Sequence, residues 1–366
     1  MIKVALLTVG FYEYTTELAN ALAQYVDLTL IFPEKCLPRF KGVLDPAIPI
    51  YTFNKPRIRA PRNIFAMAEM MGIIRKLQPD VLHVQETVDF WYDGTLLLNK
   101  MPPLVTTIHD VFRHPGDRGN VPGSEFTRLI SFYRSQQIIV HAELLKSILI
   151  KQFRLSQERV SVLPHGEIGS YYQRITPLEN ISREPYTLLF LGRIWPYKGL
   201  KYLVQAMPLV IEQIPEAKLI IAGKGENLEA YFPNGYDEKH YEIYNRFIEL
   251  EEMTGLFQRS TATVLPYIEA SQSGVAALAY AMGTPVIASS IGGLSEMIYH
   301  EQDGLLVPPR DVHALADAII RLLSDRALQQ RLSMAALQRC QEDLNWSKIA
   351  ADTVEVYRKA MSLTTK

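Results

Sequence analysis

Two cations, Arg193 and Lys198, lie in a short segment that follows an apolar run ending at Gly192. The residues after Gly199 repeat apolar side chains at a helical period. The predicted order is therefore strand, turn and helix. This order places the N-terminus of the helix, with its free N–H groups and the positive end of its dipole, beside the cations. Arginine binds two phosphate oxygens with its forked guanidinium, and lysine acts as a compact point charge. The pattern therefore predicts a diphosphate site; a solvated pair on a surface helix is the alternative.

A second anion-binding pattern is the small polar loop Ser271, Gln272, Ser273 and Gly274, which follows a strand-like run and precedes an apolar helical segment. Small residues let backbone N–H groups approach an anion, and the helix dipole adds to the attraction. Simple capping of the helix by a serine is the alternative. The two interpretations are compatible, because a cap and an anion use the same N–H groups.

Two glycines and an acid follow a later apolar run. Gly292 and Gly293 allow a close approach of the backbone or a positive φ angle. Glu296 lies three residues beyond Gly293, where it either contacts a ligand or is an acid in the first turn of a helix. Ligands of open parallel sheets bind beyond the carboxyl ends of the strands, so this turn is a further candidate.

In the first half of the chain, a glycine and histidines follow apolar runs. Gly10 comes after the first run, and no G-x-G-x-x-G string follows it, which argues against a dinucleotide-binding dehydrogenase. His109 is predicted to face the ligand, where it donates a hydrogen bond to a sugar or shuttles a proton. A structural core histidine is the alternative. His165 has a similar position with weaker support, and His114 lies in the loop after His109.

A basic segment lies between the second and third strand-like runs. Lys55, Arg57, Arg59 and Arg62 fall within nine residues that contain no acid, and apolar residues at Ile64, Phe65, Met67, Met70 and Met71 follow. Basic residues beside an apolar stripe predict contact with an anionic membrane surface. A solvated loop beside a helix face that packs in the core is the alternative.

Composition excludes several classes of protein. With 366 residues, 48% hydrophobic and 21% charged, the chain is predicted to be globular with two domains. The net charge of -1 gives no general affinity for nucleic acid. Cys36 and Cys340 are too few for a disulfide scaffold, and no metal-binding motif occurs. The N-terminus lacks the pattern of a signal peptide, so we expect a cytoplasmic protein, with peripheral attachment to the membrane left open.

Short apolar runs alternate with amphipathic segments along the whole chain, which predicts an α/β fold with parallel sheets. The pattern restarts after the polar stretch Pro177–Arg183, which predicts two Rossmann-like domains, 1–180 and 184–345, facing across a cleft. The segment Asn227–Tyr244 is predicted to be a surface excursion. The strand-like runs are Val4–Val9, Leu28–Phe32, Val81–Val84, Val105–Ile108, Ile138–Val140, Val160–Leu163, Leu188–Leu191, Leu219–Ala222, Ala262–Leu265, Val286–Ala288 and Leu305–Val307.

With these motifs in order, the chain resembles the family 4 glycosyltransferases, which are retaining enzymes of the GT-B architecture. His109 matches a histidine that lines that family's cleft, and Asn345 and Trp346 open a helix, 346–366, that in such folds crosses back to the first domain. The matching segments are GRIWPYKG (Gly192–Gly199), AGKGE (Ala222–Glu226), VLPYIEA (Val264–Ala270), AMGTPVIAS (Ala281–Ser289), GGLSE (Gly292–Glu296) and DGLLVPPRD (Asp303–Asp311).

One departure concerns the pair of glutamates that the family carries eight positions apart before its G-x-P motif. Counted back from Gly283, those positions hold Ala270 and Leu278. The Ser-Gln-Ser-Gly sequence resembles a variant within the family. Loop N–H groups, Gln272 or Glu296 are then expected to replace the usual contact with the nucleotide ribose.

The resemblance implies transfer of a hexose from a nucleoside-diphosphate sugar to a saccharide, lipid or other hydroxyl acceptor, as in polysaccharide or glycolipid synthesis. It implies no metal and no cofactor. A non-catalytic glycosyltransferase-like subunit, a nucleotide-sugar epimerase and a phosphorylase-like enzyme with pyridoxal phosphate are the alternatives. The implied roles are leaving-group binding by Arg193, Lys198 and the N–H groups of Ser273 and Gly274, sugar contact by His109, proximity of Gly10 to the diphosphate, and proximity of Phe247 and Ile248 to the base.

Overall fold

The computed structural model describes residues 1–87, 89–112, 125–176, 181–232 and 235–364. These residues form two compact units. Unit 1 contains the described residues of 1–112 and 125–166 together with 345–364, and unit 2 contains those of Glu167–Leu344. In the described part of the chain, no helix has both the length and the apolar character needed to cross a membrane.

Unit 1 is built on a seven-stranded parallel sheet of order β3-β2-β1-β4-β5-β6-β7. Its strands are β1 (Lys3–Leu7), β2 (Asp27–Pro33), β3 (Ile50–Phe53), β4 (Val81–Gln85), β5 (Leu104–Thr107), β6 (Gln137–Val140) and β7 (Val160–Val162). Its helices are α1 (Tyr12–Leu22), α2 (Leu37–Phe40), α3 (Asn63–Leu77), α4 (Phe90–Leu98), α5 (Glu125–Arg134), α6 (Glu143–Phe153) and, from the end of the chain, α14 (Trp346–Thr364).

Unit 2 is built on a six-stranded parallel sheet of order β10-β9-β8-β11-β12-β13. Its strands are β8 (Thr187–Leu191), β9 (Lys218–Ala222), β10 (Tyr241–Tyr244), β11 (Ala262–Leu265), β12 (Val286–Ser289) and β13 (Gly304–Val307). Its helices are α7 (Gly169–Ile175), α8 (Leu200–Gln213), α9 (Leu250–Arg259), α10 (Gly274–Ala281), α11 (Gly292–Met297), α12 (Val312–Ser324) and α13 (Arg326–Gln341).

The central strands of both sheets are buried throughout, as expected for parallel strands covered on both faces. All five residues of β8 are buried, as are the four residues of β11. Strand β1 pairs with β2 and β4 in register, with Leu6 beside Leu30 on one side and His83 on the other. The two parallel α/β sheets confirm the predicted fold class.

The helix α14 completes unit 1. It packs against α1, β4, β5 and β6. The ring of Trp346 lies 5.0 Å from that of Tyr14, and the hydroxyl of Tyr357 lies 2.7 Å from Nδ1 of His83. The last helix of the chain therefore supplies part of the core of the unit in which the chain begins.

The division between the units falls at Gly166, earlier in the chain than the boundary of 180 that the sequence predicts. The reason is that α7 packs against α9 and α10 of unit 2. Of the polar stretch predicted to separate the domains, 177–180 lies outside the described residues.

Two strands, β3 and β10, were not predicted, and β10 lies within Asn227–Tyr244, so the interpretation of this segment as a surface excursion is wrong for Tyr241–Tyr244. Both are edge strands of their sheets. Every residue of β10 is half-buried, and Ile50 of β3 is exposed. Thr52 interrupts the apolar residues of β3 and Glu242 those of β10, so neither strand shows the continuous apolar run that identified most of the others.

Candidate functional site

The segment Gly192–Gly199 forms a tight turn between β8 and α8 in unit 2. Pro196–Lys198 is a single 3-10 turn, and Gly199 has a φ of 67°. A Cβ atom at Gly199 would lie 1.8 Å from the carbonyl oxygen of Pro266, so only glycine lets the turn pass the end of β11 this closely. The turn is also paired to the next loop, because Ile194 donates to the carbonyl of Lys224 at 3.1 Å.

Aromatic rings hold both cations of this turn. The guanidinium carbon of Arg193 lies 4.2 Å from the ring centre of Trp195, and its Nη2 donates to the Tyr197 hydroxyl at 3.0 Å. The Lys198 Nζ lies 3.8 Å from the ring centre of Tyr267. Cation–π contacts of this kind help to fix the position of a charged side chain.

Tyr267 connects the cations to the loop before α10. It follows β11, its side chain is fully buried, and its hydroxyl lies 3.4 Å from Oγ of Ser273. Burial raises the pKa of Tyr267 to about 12, so the hydroxyl stays protonated at neutral pH. The structure therefore brings Lys198 and Ser273, predicted from separate motifs, to one tyrosine, the lysine over its ring face and the serine beside its hydroxyl.

The polar loop before α10 caps that helix. The Oγ of Ser273 accepts a hydrogen bond from the N–H of Ala276 at 3.3 Å, which is the serine capping that the sequence offered as an alternative. Gly274 is the first residue of α10, and Ser271 is buried. The Oε1 atom of Gln272 is buried without a hydrogen-bond partner among the described residues.

The glycine turn at α11 makes a second close backbone approach. Gly292 has a φ of 53°, and a Cβ atom there would lie 1.8 Å from the carbonyl oxygen of Ala270. Gly293 donates to the same oxygen at 3.2 Å. Glu296 is exposed and lies beyond the first turn of α11, so it is not the first-turn acid of the alternative interpretation.

Phe247 and Ile248 lie in the loop between β10 and α9. Phe247 is 54% exposed, whereas Ile248 is buried and lines a cavity of about 210 Å³ with Tyr244 and Leu256. The exposed ring of Phe247 is therefore the part of this pair that is available to a ligand.

In unit 1, Gly10 follows β1 and has open space where a side chain would be. Its N–H donates to Oγ1 of Thr8 at 3.4 Å. The next residue, Phe11, has a φ of 52°, a left-handed conformation that is uncommon for a bulky side chain. Its ring stacks on that of His109, with the ring centres 3.7 Å apart.

His109 follows β5 and is fully buried. Its Nε2 lies 3.1 Å from Oε1 of Gln85. Oε2 of Glu86 accepts from the backbone N–H groups of His109 at 3.2 Å and Asp110 at 3.4 Å. Arg128, also buried, balances that carboxylate, with its Nε 3.1 Å from Oε1 of Glu86. A buried ion pair therefore fixes the backbone that carries His109.

Burial lowers the pKa of His109 well below its ordinary value, and the neighbouring His141 and His165 lower it further. The imidazole is then neutral at physiological pH. A neutral His109 can form hydrogen bonds, but it carries no extra proton to shuttle, so hydrogen bonding is the better of its two predicted roles. His114 lies outside the described residues.

The basic segment is exposed in part. Arg57, Arg59 and Arg62 are exposed, and so are Ile64 and Phe65, at 61% and 74%. The rest of the apolar stripe is not exposed, because its three methionines pack in the core of unit 1. The buried Asn63 holds the loop by donating from Nδ2 to the carbonyls of Arg57 at 2.9 Å and Ala60 at 2.7 Å.

The prediction that Lys55 belongs to this surface is wrong. Its side chain is only 4% exposed, and its Nζ lies 2.9 Å from Oδ2 of Asp89. It also lies 5.2 Å from the ring centre of Tyr92. The ion pair removes this charge from any contact with a membrane.

Comparison with known families decides the class of protein. Residues 3–142 match the family described as "Glycosyl transferase 4-like", and residues 185–325 match "Glycosyl transferases group 1". The two matches fall on the two halves of the chain in turn. The chain is a glycosyltransferase of the family 4-like group.

Two relatives agree with this assignment. The glycosyltransferase is 29% identical to an uncharacterized glycosyltransferase of Methanocaldococcus jannaschii, over 81% of this chain and 80% of the relative. It is 28% identical to the D-inositol 3-phosphate glycosyltransferase of Pseudarthrobacter chlorophenolicus, over 96% of this chain and 90% of the relative.

Solved structures agree on the fold. Sucrose-phosphate synthase from Thermosynechococcus elongatus matches with a TM-score of 0.72 and 20% identity, covering 99% of this chain and 100% of that one. HepE from Anabaena, in complex with UDP and glucose, matches with a TM-score of 0.67 and 16% identity, covering 97% and 99%. The fold of the glycosyltransferase is therefore that of the GT-B enzymes.

Sequence reasoning missed two residues of these sites. Tyr267 follows a buried strand, where a tyrosine is ordinarily part of the core, and nothing in its neighbourhood signals a lysine across from it. Glu86 directly follows β4, at the same edge of the sheet as Gly10 after β1 and His109 after β5. A systematic search of the residues after each strand finds both.

Proposed function

We propose that this glycosyltransferase transfers a hexose from a nucleoside-diphosphate sugar to a hydroxyl acceptor with retention of the anomeric configuration. The observation that carries the proposal is the group formed by Arg193, Lys198 and the α10 N-terminus around Tyr267 in unit 2. Two cations and a set of helix N–H groups match the charge of a diphosphate. Family membership and the ordered motifs support the same assignment.

In the proposed reaction, the bond between the hexose C1 and the diphosphate oxygen breaks, and its electron pair stays on the diphosphate. The acceptor oxygen forms the new bond to C1 on the same face. Its proton goes to the leaving phosphate oxygen, so no protonated side chain is needed. Arg193, Lys198 and the N–H groups of Ser273 and Gly274 stabilise the negative charge as it develops.

His109 is proposed to contact the transferred hexose, and Gly10 to lie near the diphosphate. A neutral imidazole suits a sugar hydroxyl, because it forms a hydrogen bond without adding a charge beside the positive C1 of the transition state. No metal or cofactor has a part in this proposal. Phe247 is proposed to lie near the base, where an exposed ring can stack.

Gln272 is the proposed substitute for the missing glutamates. Its buried Oε1 has no hydrogen-bond partner among the described residues, and such an atom is costly unless a ligand supplies a donor. A ribose hydroxyl is a donor of the required kind. We expect Gln272→Ala to weaken nucleotide binding by about 2- to 12-fold, the value of one neutral hydrogen bond, and Glu296→Gln to have less effect.

The experiment that tests the proposal is calorimetry of the full chain with UDP, GDP, ADP, CDP and dTDP. HepE was solved with UDP and glucose, which makes UDP the first nucleotide to test. Binding of one diphosphate more tightly than its monophosphate is expected. Equal affinity for the mono- and diphosphate contradicts the proposed site. Product NMR with the matching sugar nucleotide then tests retention.

We also propose that the exposed part of the basic segment contacts an anionic membrane, at the cytoplasmic face. Arg57, Arg59 and Arg62 supply the charge, and Ile64 and Phe65 the apolar contact. Sedimentation with vesicles containing phosphatidylglycerol tests this, with pure phosphatidylcholine vesicles as the control. Binding should fall in Arg59→Glu/Arg62→Glu and stay unchanged in Arg326→Glu, an exposed arginine of α13. Equal binding by both variants contradicts the proposal.

A further inference from the structure

Three histidines form a compact cluster at the carboxyl edge of the sheet of unit 1. His109, His141 and His165 follow the neighbouring strands β5, β6 and β7. Their ring centres are 5.0 Å apart between His109 and His141, 5.2 Å between His141 and His165, and 6.1 Å between His109 and His165. The ring of Tyr14, in α1, lies within contact of all three. We call these three residues the imidazole cluster.

Each ring of the imidazole cluster has one nitrogen bound to a carbonyl-type oxygen. Nδ1 of His141 lies 3.0 Å from the carbonyl of Leu163, and Nδ1 of His165 lies 3.1 Å from that of Gly166. Nε2 of His109 faces Oε1 of Gln85. An oxygen without hydrogen can only accept, so each of these nitrogens carries the proton. The other nitrogen of each neutral ring is then an acceptor.

All three rings are neutral at physiological pH. Burial lowers the pKa of His141 to about 3 and that of His165 to about 4, and the pKa of His109 lies well below its ordinary value. The cluster therefore presents three lone pairs: Nδ1 of His109, Nε2 of His141 and Nε2 of His165.

Two of these lone pairs accept no hydrogen bond from any residue that the structure describes. Nδ1 of His109 and Nε2 of His141 are buried and have no hydrogen-bond partner among the described residues. A buried acceptor without a donor destabilises the folded chain, and such atoms commonly mark a ligand or water position. His109 is fully buried, whereas His141 and His165 are half-buried, so the cluster reaches the surface of unit 1 beside β6 and β7 while Nε2 of His141 itself stays buried.

From this geometry we propose that the imidazole cluster binds the hydroxyl groups of an uncharged saccharide or polyol. Adjacent sugar hydroxyls supply several O–H donors a few ångströms apart, which matches neighbouring acceptors. A phosphate has the opposite need, because it requires N–H donors. A metal ion is a poorer match, since the described residues hold no group of three His, Cys, Asp or Glu arranged for one. This inference rests on the proposed function, in which His109 contacts a hexose, and it adds His141 and His165.

The first test measures the tautomers directly. Long-range ¹H–¹⁵N spectra of the full chain with ¹⁵N-labelled histidine should give Nδ1–H tautomers for His141 and His165 and an Nε2–H tautomer for His109. The opposite tautomers at His141 and His165 would overturn the proposal, because the free nitrogens would then be donors. The spectrum requires no knowledge of the substrate.

The second test measures binding by titrating the same sample with methyl α-glucoside, methyl α-mannoside, methyl α-galactoside and myo-inositol. At least one of these should shift the acceptor nitrogens of His141 and His165 at saturation. Inorganic phosphate and Zn²⁺ are the competing probes. The proposal would be overturned if only phosphate or Zn²⁺ shifted these nitrogens. It would also be overturned if no probe changed the spectrum of the ligand-free protein.

The matched variants are His141→Phe, which keeps a ring beside Tyr14 but removes both nitrogens, and His313→Asn, a control at an exposed histidine of α12. His141→Phe should weaken saccharide binding by about 2- to 12-fold, the value of one hydrogen bond, while the control binds like the parent protein. The melting temperature of each variant shows whether it is folded. If His141→Phe does not fold, His165→Phe gives the same measurement. Unchanged affinity in a folded variant at both positions contradicts the proposal.

The hydroxyl groups that bind the cluster can belong to the donor hexose or to the acceptor. Comparing the affinities for the sugar nucleotide and for the free nucleoside diphosphate distinguishes these two cases. If the cluster binds the donor hexose, His141→Phe weakens binding of the sugar nucleotide but not of the nucleoside diphosphate. If it binds the acceptor, both affinities stay unchanged and only that of the free saccharide falls. The titration with free saccharides does not depend on diphosphate binding in unit 2. If the proposed diphosphate site is wrong, this titration still tests the imidazole cluster.

Discussion

At the scale of single residues, aromatic side chains determine where the charges of unit 2 lie. Arg193 stacks over Trp195, and Lys198 lies over the buried ring of Tyr267. The ring face attracts the cation and helps to hold it in a fixed position. Because Tyr267 also lies beside Ser273, one side chain sets the spacing between the lysine and the α10 N-terminus.

We predict that the ring of Tyr267, more than its hydroxyl, maintains the affinity for a nucleoside diphosphate. Tyr267→Leu removes the cation–π contact, worth about 0.5–2 kcal/mol, and should weaken binding by about 2- to 30-fold. Tyr267→Phe keeps the ring and should stay within about threefold of the parent protein, since it loses one long hydrogen bond. Calorimetry with the diphosphate measures both. Equal losses in the two variants would show that the hydroxyl, and not the ring, is what matters.

The sequence identified the cations of unit 2 but misjudged Lys55. Counting basic residues in a window detects a charged segment, and three of the four are indeed exposed. The window contains no acid, so the partner of Lys55 had to come from elsewhere, and it comes from Asp89 before α4. Pairing between distant segments depends on the sheet order, which a local pattern does not contain.

At the scale of elements, the interior strands and two edge strands, β7 and β13, were predictable, whereas the edge strands β3 and β10 were not. Every apolar run identified in the sequence lies in or across a strand of the two sheets. The strands that it missed, β3 and β10, occupy the edges of their sheets. In both, a polar residue interrupts the apolar run, Thr52 in β3 and Glu242 in β10, so the apolar signal is weak.

The turn before α8 gives a prediction at this scale. Gly199→Ala places a methyl group 1.8 Å from the Pro266 carbonyl and forces a φ of 67° on alanine. We expect a loss of about 1–3 kcal/mol in the free energy of unfolding and weaker diphosphate binding, because the turn must move away from β11. Urea unfolding and calorimetry test the two effects.

The control for that variant is Gly255→Ala in α9, where the added methyl lies 3.5 Å from Ile181, an ordinary contact. A helical alanine should leave the chain as stable or up to about 1 kcal/mol more stable. If Gly199→Ala behaves like this control, the turn is not held by its contact with β11.

At the scale of the whole molecule, two parallel-sheet units arise from one repeated strand–helix pattern, and the chain returns in α14 to the unit where it began. The restart of the pattern predicted two sheets, and the order of the motifs indicated the family. The position of the unit boundary depends on the packing of α7, a contact between residues far apart in sequence. For that reason the boundary had no local signal.

The buried histidines of unit 1 predict acid sensitivity. Burial lowers the pKa of His83 and His141 to about 3, so the unfolded chain binds these protons below about pH 6.5 while the folded chain does not. Each should cost about 2 kcal/mol of stability between pH 6.5 and 5. Glu13, Glu86 and Asp93 act in the opposite direction, because burial raises their pKa values, to about 7 for Glu86 and about 6 for Asp93. Burial also lowers the pKa of His109 and His165, so the histidines outnumber these acids.

Urea unfolding at pH 5, 6 and 7 measures this effect. The midpoint should fall steadily towards pH 5, and the variant His313→Asn, at an exposed position, should follow the same curve. A midpoint that is constant or higher at pH 5 contradicts the neutral, buried state of the histidines.

The central claim is that Lys198 binds the diphosphate of the donor, and one comparison tests it most directly. Calorimetry with the preferred nucleoside diphosphate should be carried out on the parent chain, on Lys198→Ala and on Lys201→Ala, which removes an exposed lysine of α8. Loss of a charge-assisted contact of about 1.5–3 kcal/mol predicts binding about 10- to 150-fold weaker in Lys198→Ala, and unchanged binding in Lys201→Ala. A folded Lys198→Ala protein that binds the diphosphate as tightly as the parent chain would contradict the account.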